Sequence, residues 1–211
     1  MVDLAARGGS WRFDGTAPIA QLSGARDPRA EIVCARCHAR RTQIGQDDDP
    51  SAPLGQSHLL ALLDAPLYHA DGQILDEVFE YGSFLQSRMH ERGVTCADCH
   101  DPHSGHLRAE GNALCAQCHQ PSHYDTQSHH HHTVGSDTPR CVQCHMLARN
   151  YMVVHRRHDH SFRVPRPDLS VALGTPDTCT DCHRDHGAQW SANVVAKWLG
   201  PTRTPVSTRA R

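Results

Sequence analysis

The ten cysteines of the chain all fall into one repeated pattern, Cys-x-x-Cys-His. The copies are CARCH at 34–38, CADCH at 96–100, CAQCH at 115–119, CVQCH at 141–145 and CTDCH at 179–183, called here motifs 1 to 5. In this pattern two thiols add to the vinyl groups of one porphyrin and the histidine binds its iron, which is how c-type haem is attached. The sequence therefore predicts five covalently bound haem c groups.

Each motif supplies two attachment cysteines and one proximal histidine. The predicted attachment residues are Cys34, Cys37, Cys96, Cys99, Cys115, Cys118, Cys141, Cys144, Cys179 and Cys182. The predicted proximal iron ligands are His38, His100, His119, His145 and His183. Zinc sites also use paired Cys-x-x-Cys units, and disulfide frameworks also use even numbers of cysteines. Both are less favoured, because five is an awkward number of pairs for zinc and neither explains a histidine after every second cysteine.

The distal position of each iron decides what a haem can do. Two strong protein ligands favour electron transfer, whereas an open distal side permits substrate binding. Nineteen histidines are present, five inside the motifs and fourteen outside them. This excess of histidine over iron predicts mostly bis-histidine haems.

Local patterns select candidates for the distal positions. His90 lies beside an apolar stripe at helical spacing that should end at Gly93. His58 follows Ser57, a possible N-cap of a short apolar helix that Pro66 interrupts.

Three further candidates follow from spacing. His103 lies too close to its proximal neighbour in motif 2 to bind the same iron, so it is expected to reach another. His160 precedes a proline-rich extended segment and is preferred over His155 and His158. Within the run HHHH at 129–132, adjacent side chains cannot all face one iron, so one or two bind, and His130 or His132 is favoured.

The composition agrees with an interior filled by a cofactor. The chain has 211 residues, a formal net charge of -2, and only 5% aromatic residues, so apolar side chains alone would form a thin core. Lys197 is the only lysine among 21 basic residues, and the arginines suit haem propionates because they bind carboxylates bidentately. The charge balance predicts no nucleic-acid partner. No apolar run reaches the roughly 20 residues of a membrane span, and residues 1–10 lack the pattern of a signal peptide.

From about Val2 to Gly200 the chain resembles a family of bacterial multihaem c-type cytochromes of the doubled CxxCH type, often fused to tetratricopeptide repeats. The segments that carry the resemblance are LYHADGQILDEVFEYGSFLQSRMH, GVTCADCHDPHSGHLRAEGNALCAQCH, CVQCHM, YMVVHRRHDHSFRVPRPDLS and LGTPDTCTDCH. It implies the distal ligands His58, His90, His103, His160 and one of His129, His130 and His132.

Members of this family generally carry a signal peptide, a further haem-binding region and repeats. The resemblance therefore implies a fragment or truncated member of a larger cytochrome, located in the periplasm or outside the cell. Its partners would be redox proteins and other haem domains of a longer parent chain.

The predicted fold is mainly α with extensive loops, in which short helices wrap around a haem core. Residues 1–30 are interpreted as an extended lead-in, 31–200 as a pentahaem domain and 201–211 as a disordered tail. Residues 187–199 are predicted to form an amphipathic helix that ends at Gly200.

Three classes of function fit these patterns. Electron transfer through five mostly bis-histidine haems is favoured over an enzyme. The second is a multihaem reductase of a nitrogen or sulfur oxyanion, with one open haem and with basic residues at 155–166 attracting the anion. The third is a subunit of a haem filament.

Overall fold

The computed structural model describes residues 8–27, 29–46, 49–50, 52–133, 135 and 139–200. The predicted tail at 201–211 and the first seven residues of the predicted lead-in lie outside the described residues. Short helices joined by long loops make up most of the described chain, as the sequence predicted. No helix in these ranges is long and apolar enough to cross a membrane.

The helices follow the motifs along the chain. They are α1 (Arg29–His38), α2 (Tyr81–Phe84), α3 (Arg88–Glu91), α4 (Cys96–Cys99), α5 (Ala113–Ala116), α6 (Pro121–Tyr124), α7 (Gln127–His130), α8 (Cys141–His145), α9 (Pro167–Leu173) and α10 (Ala188–Leu199), with 3-10 helices at Leu54–Gln56 and Cys179–Asp181. Helical turns thus carry all or part of every motif. In motifs 1, 2 and 4 both cysteines lie in one helix, and because residues three apart lie on one side of a helix, their two thiols share a face.

Three small antiparallel sheets, each of two strands, complete the described fold. The strands are β1 (Ser10–Arg12), β2 (Gln21–Ser23), β3 (Arg41–Gln43), β4 (His58–Leu60), β5 (Ala148–Tyr151) and β6 (His155–His158). They pair in chain order as β1 with β2, β3 with β4, and β5 with β6. The hairpin β1–β2 lies in the segment that was predicted to be an extended lead-in.

The protein core is thin. Its one cluster of buried hydrophobic residues in the described chain consists of Tyr68, Ile74, Val78 and Tyr151, with Leu67 packed against it. Asp159 ties this cluster to the β5–β6 region, since its carboxylate accepts the backbone N–H of Ile74 at 3.1 Å. So small a cluster agrees with the expectation that most of the interior is not built from side chains.

The helix predicted after Ser57 is wrong, because residues His58–Leu60 form strand β4. Ser57 is the C-cap of the preceding 3-10 helix, and its hydroxyl lies 2.9 Å from Nδ1 of His58 instead of capping a helix. Gln43 pairs with His58 in the sheet. Pairing with β3 therefore overrides the local helical preference of an apolar segment.

The helix predicted to end at Gly93 is interrupted. Helices α2 and α3 are separate, because the hydroxyl of Ser87 accepts the N–H of His90 and caps the start of α3. Gly93 does end this region as predicted, with a φ of 88°. The amphipathic helix predicted near the C-terminal end is confirmed as α10, and Gly200 is its C-cap.

Candidate haem sites

All ten motif cysteines are free thiols. Eight are half-buried, while Cys37 of motif 1 and Cys182 of motif 5 are exposed. Nowhere in the described ranges do three or more His, Cys, Asp or Glu side chains converge on a metal-sized site. Free paired thiols are the groups that react with the porphyrin vinyl groups in haem attachment.

Three proximal histidines each face another histidine from a different segment. His100 and His160 have ring centroids 6.4 Å apart, with an angle of 27° between the ring planes. His145 faces His129 at 6.1 Å and 20°. His183 faces His132 at 6.1 Å and 30°.

These separations match two imidazoles on opposite sides of one metal ion. With metal–nitrogen bonds of about 2 Å on each side, the two ring centroids are roughly 6 to 6.5 Å apart. Direct ring stacking would bring the centroids closer, as in the contact of His186 with Trp190 at 4.3 Å. The three pairs therefore fit axial ligation of an iron held by motifs 2, 4 and 5.

Hydrogen bonds at Nδ1 prepare several of these rings for metal binding. Backbone carbonyl oxygens lie 2.8 Å from Nδ1 of His145, 2.9 Å from Nδ1 of His160 and 2.6 Å from Nδ1 of His132. A carbonyl oxygen can only accept, so Nδ1 must carry the proton and Nε2 has a free lone pair. Metal-bound histidines are oriented in the same way in other proteins.

Burial keeps several of the rings neutral. It lowers the pKa of His100, His119, His129 and His160 below the ordinary value for histidine. Neutral imidazole is the form that binds metals. The electrostatics of these positions therefore suit iron ligands.

The histidine run divides its side chains between different neighbours. Helix α7 ends at His130, and His131 adopts a left-handed conformation with a φ of 59°. This turn separates His129, which faces motif 4, from His132, which faces motif 5. The ring of His131 instead stacks on Trp198 of α10 at 4.1 Å.

His130 has the opposite hydrogen-bonding pattern. The backbone N–H of His132 donates to Nδ1 of His130 at 3.1 Å, so the proton of neutral His130 resides on Nε2. That Nε2 is buried and has no hydrogen-bond partner. The geometry thus favours His129 over His130, which the sequence had preferred. The sequence could not predict which of four identical histidines faces a motif, because nothing in the run distinguishes them.

Two proximal histidines face other groups. The side chain of His38 is 67% exposed, and its Nδ1 lies 3.5 Å from Oε2 of Glu80. The ring of His119 contacts Tyr124 edge to face at 5.2 Å, and Tyr124 also contacts His129. Motifs 1 and 3 therefore differ from the three motifs with facing histidines.

The remaining predicted ligands lie in varied environments. His58 is buried, and its Nδ1 contacts the hydroxyl of Ser57. That hydroxyl lies 3.4 Å from Nη1 of Arg36 in motif 1. His90 is half-buried, and its Nε2 lies 3.1 Å from Oε1 of Glu31 in α1. His103 is exposed in the turn after motif 2.

Arg36, inside motif 1, organises the loop that leads to His58. Its buried guanidinium donates to the carbonyl oxygens of Asp49, Pro50 and Ala52 at 3.0 to 3.2 Å. The arginine therefore serves the protein chain at this position instead of a propionate, and it fixes His58 near motif 1.

Comparison with known proteins agrees with this geometry. A model of the doubled CXXCH motif matches residues 90–124, which contain motifs 2 and 3. The crystal structure of the outer cell wall cytochrome OcwA superposes with a TM-score of 0.59 at 17% sequence identity. The superposition covers 84% of this chain and 53% of OcwA, so the chain spans about half the length of that cytochrome. No curated protein matches the chain.

The fold and the repeated motif define the class: the chain has the architecture of a multihaem c-type cytochrome. The predicted fold class is thereby confirmed.

Proposed function

We propose that the protein transfers electrons through five covalently attached haem c groups, most of them with two histidine ligands. The observation that carries the proposal is the set of three facing histidine pairs, His100 with His160, His145 with His129, and His183 with His132. Haem c supplies reversible one-electron chemistry at its iron. With two histidines bound, that iron would have no open position for a small molecule, which favours electron transfer.

The chain's own residues would have three tasks in this function. The paired cysteines would hold each porphyrin, and backbone carbonyls hold the Nδ1–H groups of His145, His160 and His132 so that Nε2 points away from the hydrogen bond. Desolvation keeps the buried rings neutral. Together these features fix the ligands before and after each electron passes, which limits reorganisation.

A periplasmic or extracellular location goes with this proposal. OcwA is an outer cell wall cytochrome, and a chain of similar fold would work in the same kind of compartment. Soluble or surface-bound redox proteins, or other haem domains of a longer chain, would then be the partners.

A second candidate is a multihaem reductase with an open iron. His38 and His119 favour it, because neither ring faces another histidine within the described residues. The predicted anion-attracting arginines give it less support. Arg157 pairs with Glu77 and Arg166 pairs with Asp168, so local carboxylates already neutralise them.

Carbon monoxide separates the two candidates. The holoprotein would be matured in an exporting host, its haem content measured by mass spectrometry, and its dithionite-reduced spectrum recorded before and after addition of the gas. Electron transfer predicts five haems and low-spin irons at motifs 2, 4 and 5 that do not bind the gas. A response of more than about two-fifths of the absorbance contradicts the proposal, since only motifs 1 and 3 lack a facing histidine.

Turnover assays complete the test. Nitrite, hydroxylamine and tetrathionate would each be offered to protein reduced by a viologen dye. Re-oxidation of the dye with a carbon monoxide response at motif 1 or motif 3 supports the reductase. An absent gas response together with absent turnover supports the electron carrier.

A further inference from the structure

Motifs 1 and 2 touch through their helices. Helix α1, which carries motif 1, packs against helix α4, which carries motif 2. Haems attached to these two motifs would therefore be neighbours.

The hairpin β1–β2 and the segment after it hold motifs 2 and 3 together. Trp11 Nε1 donates to Oδ1 of Asp98 in motif 2 at 3.1 Å, and Arg26 donates to the same carboxylate at 2.8 Å. Ala20 donates its backbone N–H to the carbonyl oxygen of Cys118 in motif 3 at 2.8 Å. One short segment thus binds both motifs.

Motifs 3 and 4 are joined through the residue that precedes helix α5. The N-cap residue of α5, Asn112, accepts the backbone N–H of Cys141 at 2.9 Å. Tyr124 then joins His119 of motif 3 to His129, the residue that faces motif 4.

Motifs 4 and 5 are joined on two sides. The hydroxyl of Thr178, next to motif 5, donates to the carbonyl oxygen of Gln143 in motif 4 at 2.5 Å. His129 and His132 come from one turn of chain and face the two proximal histidines of these motifs. Each of the junctions described therefore connects motifs that are consecutive in sequence.

We infer that the haem sites form one linear series in the order of motifs 1 to 5. The inference rests on the proposed function, and it adds the order in which the haems would pass electrons to one another.

Magnetic coupling between neighbouring ferric haems tests the order. One haem at a time is removed by changing both attachment cysteines to alanine, for example Cys96→Ala with Cys99→Ala, and the oxidised holoprotein is examined by electron paramagnetic resonance. In a linear series, loss of motif 2 isolates motif 1 and loss of motif 4 isolates motif 5. Each of these variants should show one new uncoupled signal of single-haem intensity.

The other deletions are matched controls. Loss of motif 1, 3 or 5 leaves every remaining haem with a neighbour, so no isolated signal is expected. An isolated signal in the motif 3 variant, or its absence in both the motif 2 and motif 4 variants, overturns the order. Fewer than five haems in the unmodified protein contradicts the proposed function itself, so the two failures are distinguishable.

Discussion

Motifs 2, 4 and 5 differ from motifs 1 and 3 in what the proximal histidine faces. In the first group a second histidine lies at the distance expected across an iron, whereas His38 faces Glu80 and His119 faces Tyr124. The five motifs are nearly identical in sequence, so the difference comes from their surroundings. One repeated attachment unit can thus give haem sites of different coordination within one chain.

The largest expected effect concerns both groups together. If haem fills the interior, the chain produced without haem-attachment machinery should lack a compact fold, because its one buried hydrophobic cluster is too small to offset chain entropy. Circular dichroism and limited proteolysis of the apo-chain check this. A protease-resistant, compact apo-protein would contradict the idea that haem constitutes the core.

The next-largest effect is expected when the facing histidines are removed one at a time. His129→Ala and His132→Ala should each convert about one-fifth of the iron to a form that binds carbon monoxide, since each removes one of the proposed axial ligands. The difference spectrum of the reduced protein measures this fraction. His130→Ala is the control within the same run and should leave the spectrum unchanged. A gas response in His130→Ala but not in His129→Ala would reverse the assignment.

A smaller effect is expected at Asp98 of motif 2, which anchors the segment that also contacts motif 3. Asp98 is buried and accepts from Trp11, from Arg26 and from the backbone N–H of Thr95. Asp98→Asn should lower the free energy of unfolding of the holoprotein by about 2 kcal/mol, because it removes the negative charge of a buried ion pair with Arg26.

Asp168→Asn is the control for Asp98→Asn. Asp168 also pairs with an arginine, but its side chain is 54% exposed. Its loss should change the free energy of unfolding by about 0.5 kcal/mol or less. Denaturant titration of both variants compares them, and equal effects would show that the hairpin does not hold motifs 2 and 3.

An effect smaller than that of Asp98→Asn is expected at motif 5. Arg149 of strand β5 donates to both carboxylate oxygens of Asp181 at 2.8 and 2.9 Å, with both side chains about one-third exposed. Arg149→Gln should lower the free energy of unfolding by about 0.5 to 1 kcal/mol, since solvent screens this pair in part. A loss as large as that of Asp98→Asn would place motif 5 among the tightly clamped sites.

Part of the candidate site was readable from the chain before its fold was known. The attachment cysteines and proximal histidines follow from one motif whose spacing is set by the porphyrin, so no tertiary information is needed to predict them. Helix α10 was equally predictable, because its apolar spacing and the glycine at its end are local signals. The helix predicted after Ser57 failed because pairing between β3 and β4 is a contact between separate segments.

The amino-acid sequence by itself determined the cofactor class, the number of attachment motifs and a surplus of possible ligands. Only the tertiary structure decided which histidine faces which motif. His160 meets His100 through packing of distant segments, and the left-handed turn at His131 directs His129 and His132 to different motifs. Identical side chains in a row differ only in where the backbone points them, and that direction is set by the folded chain.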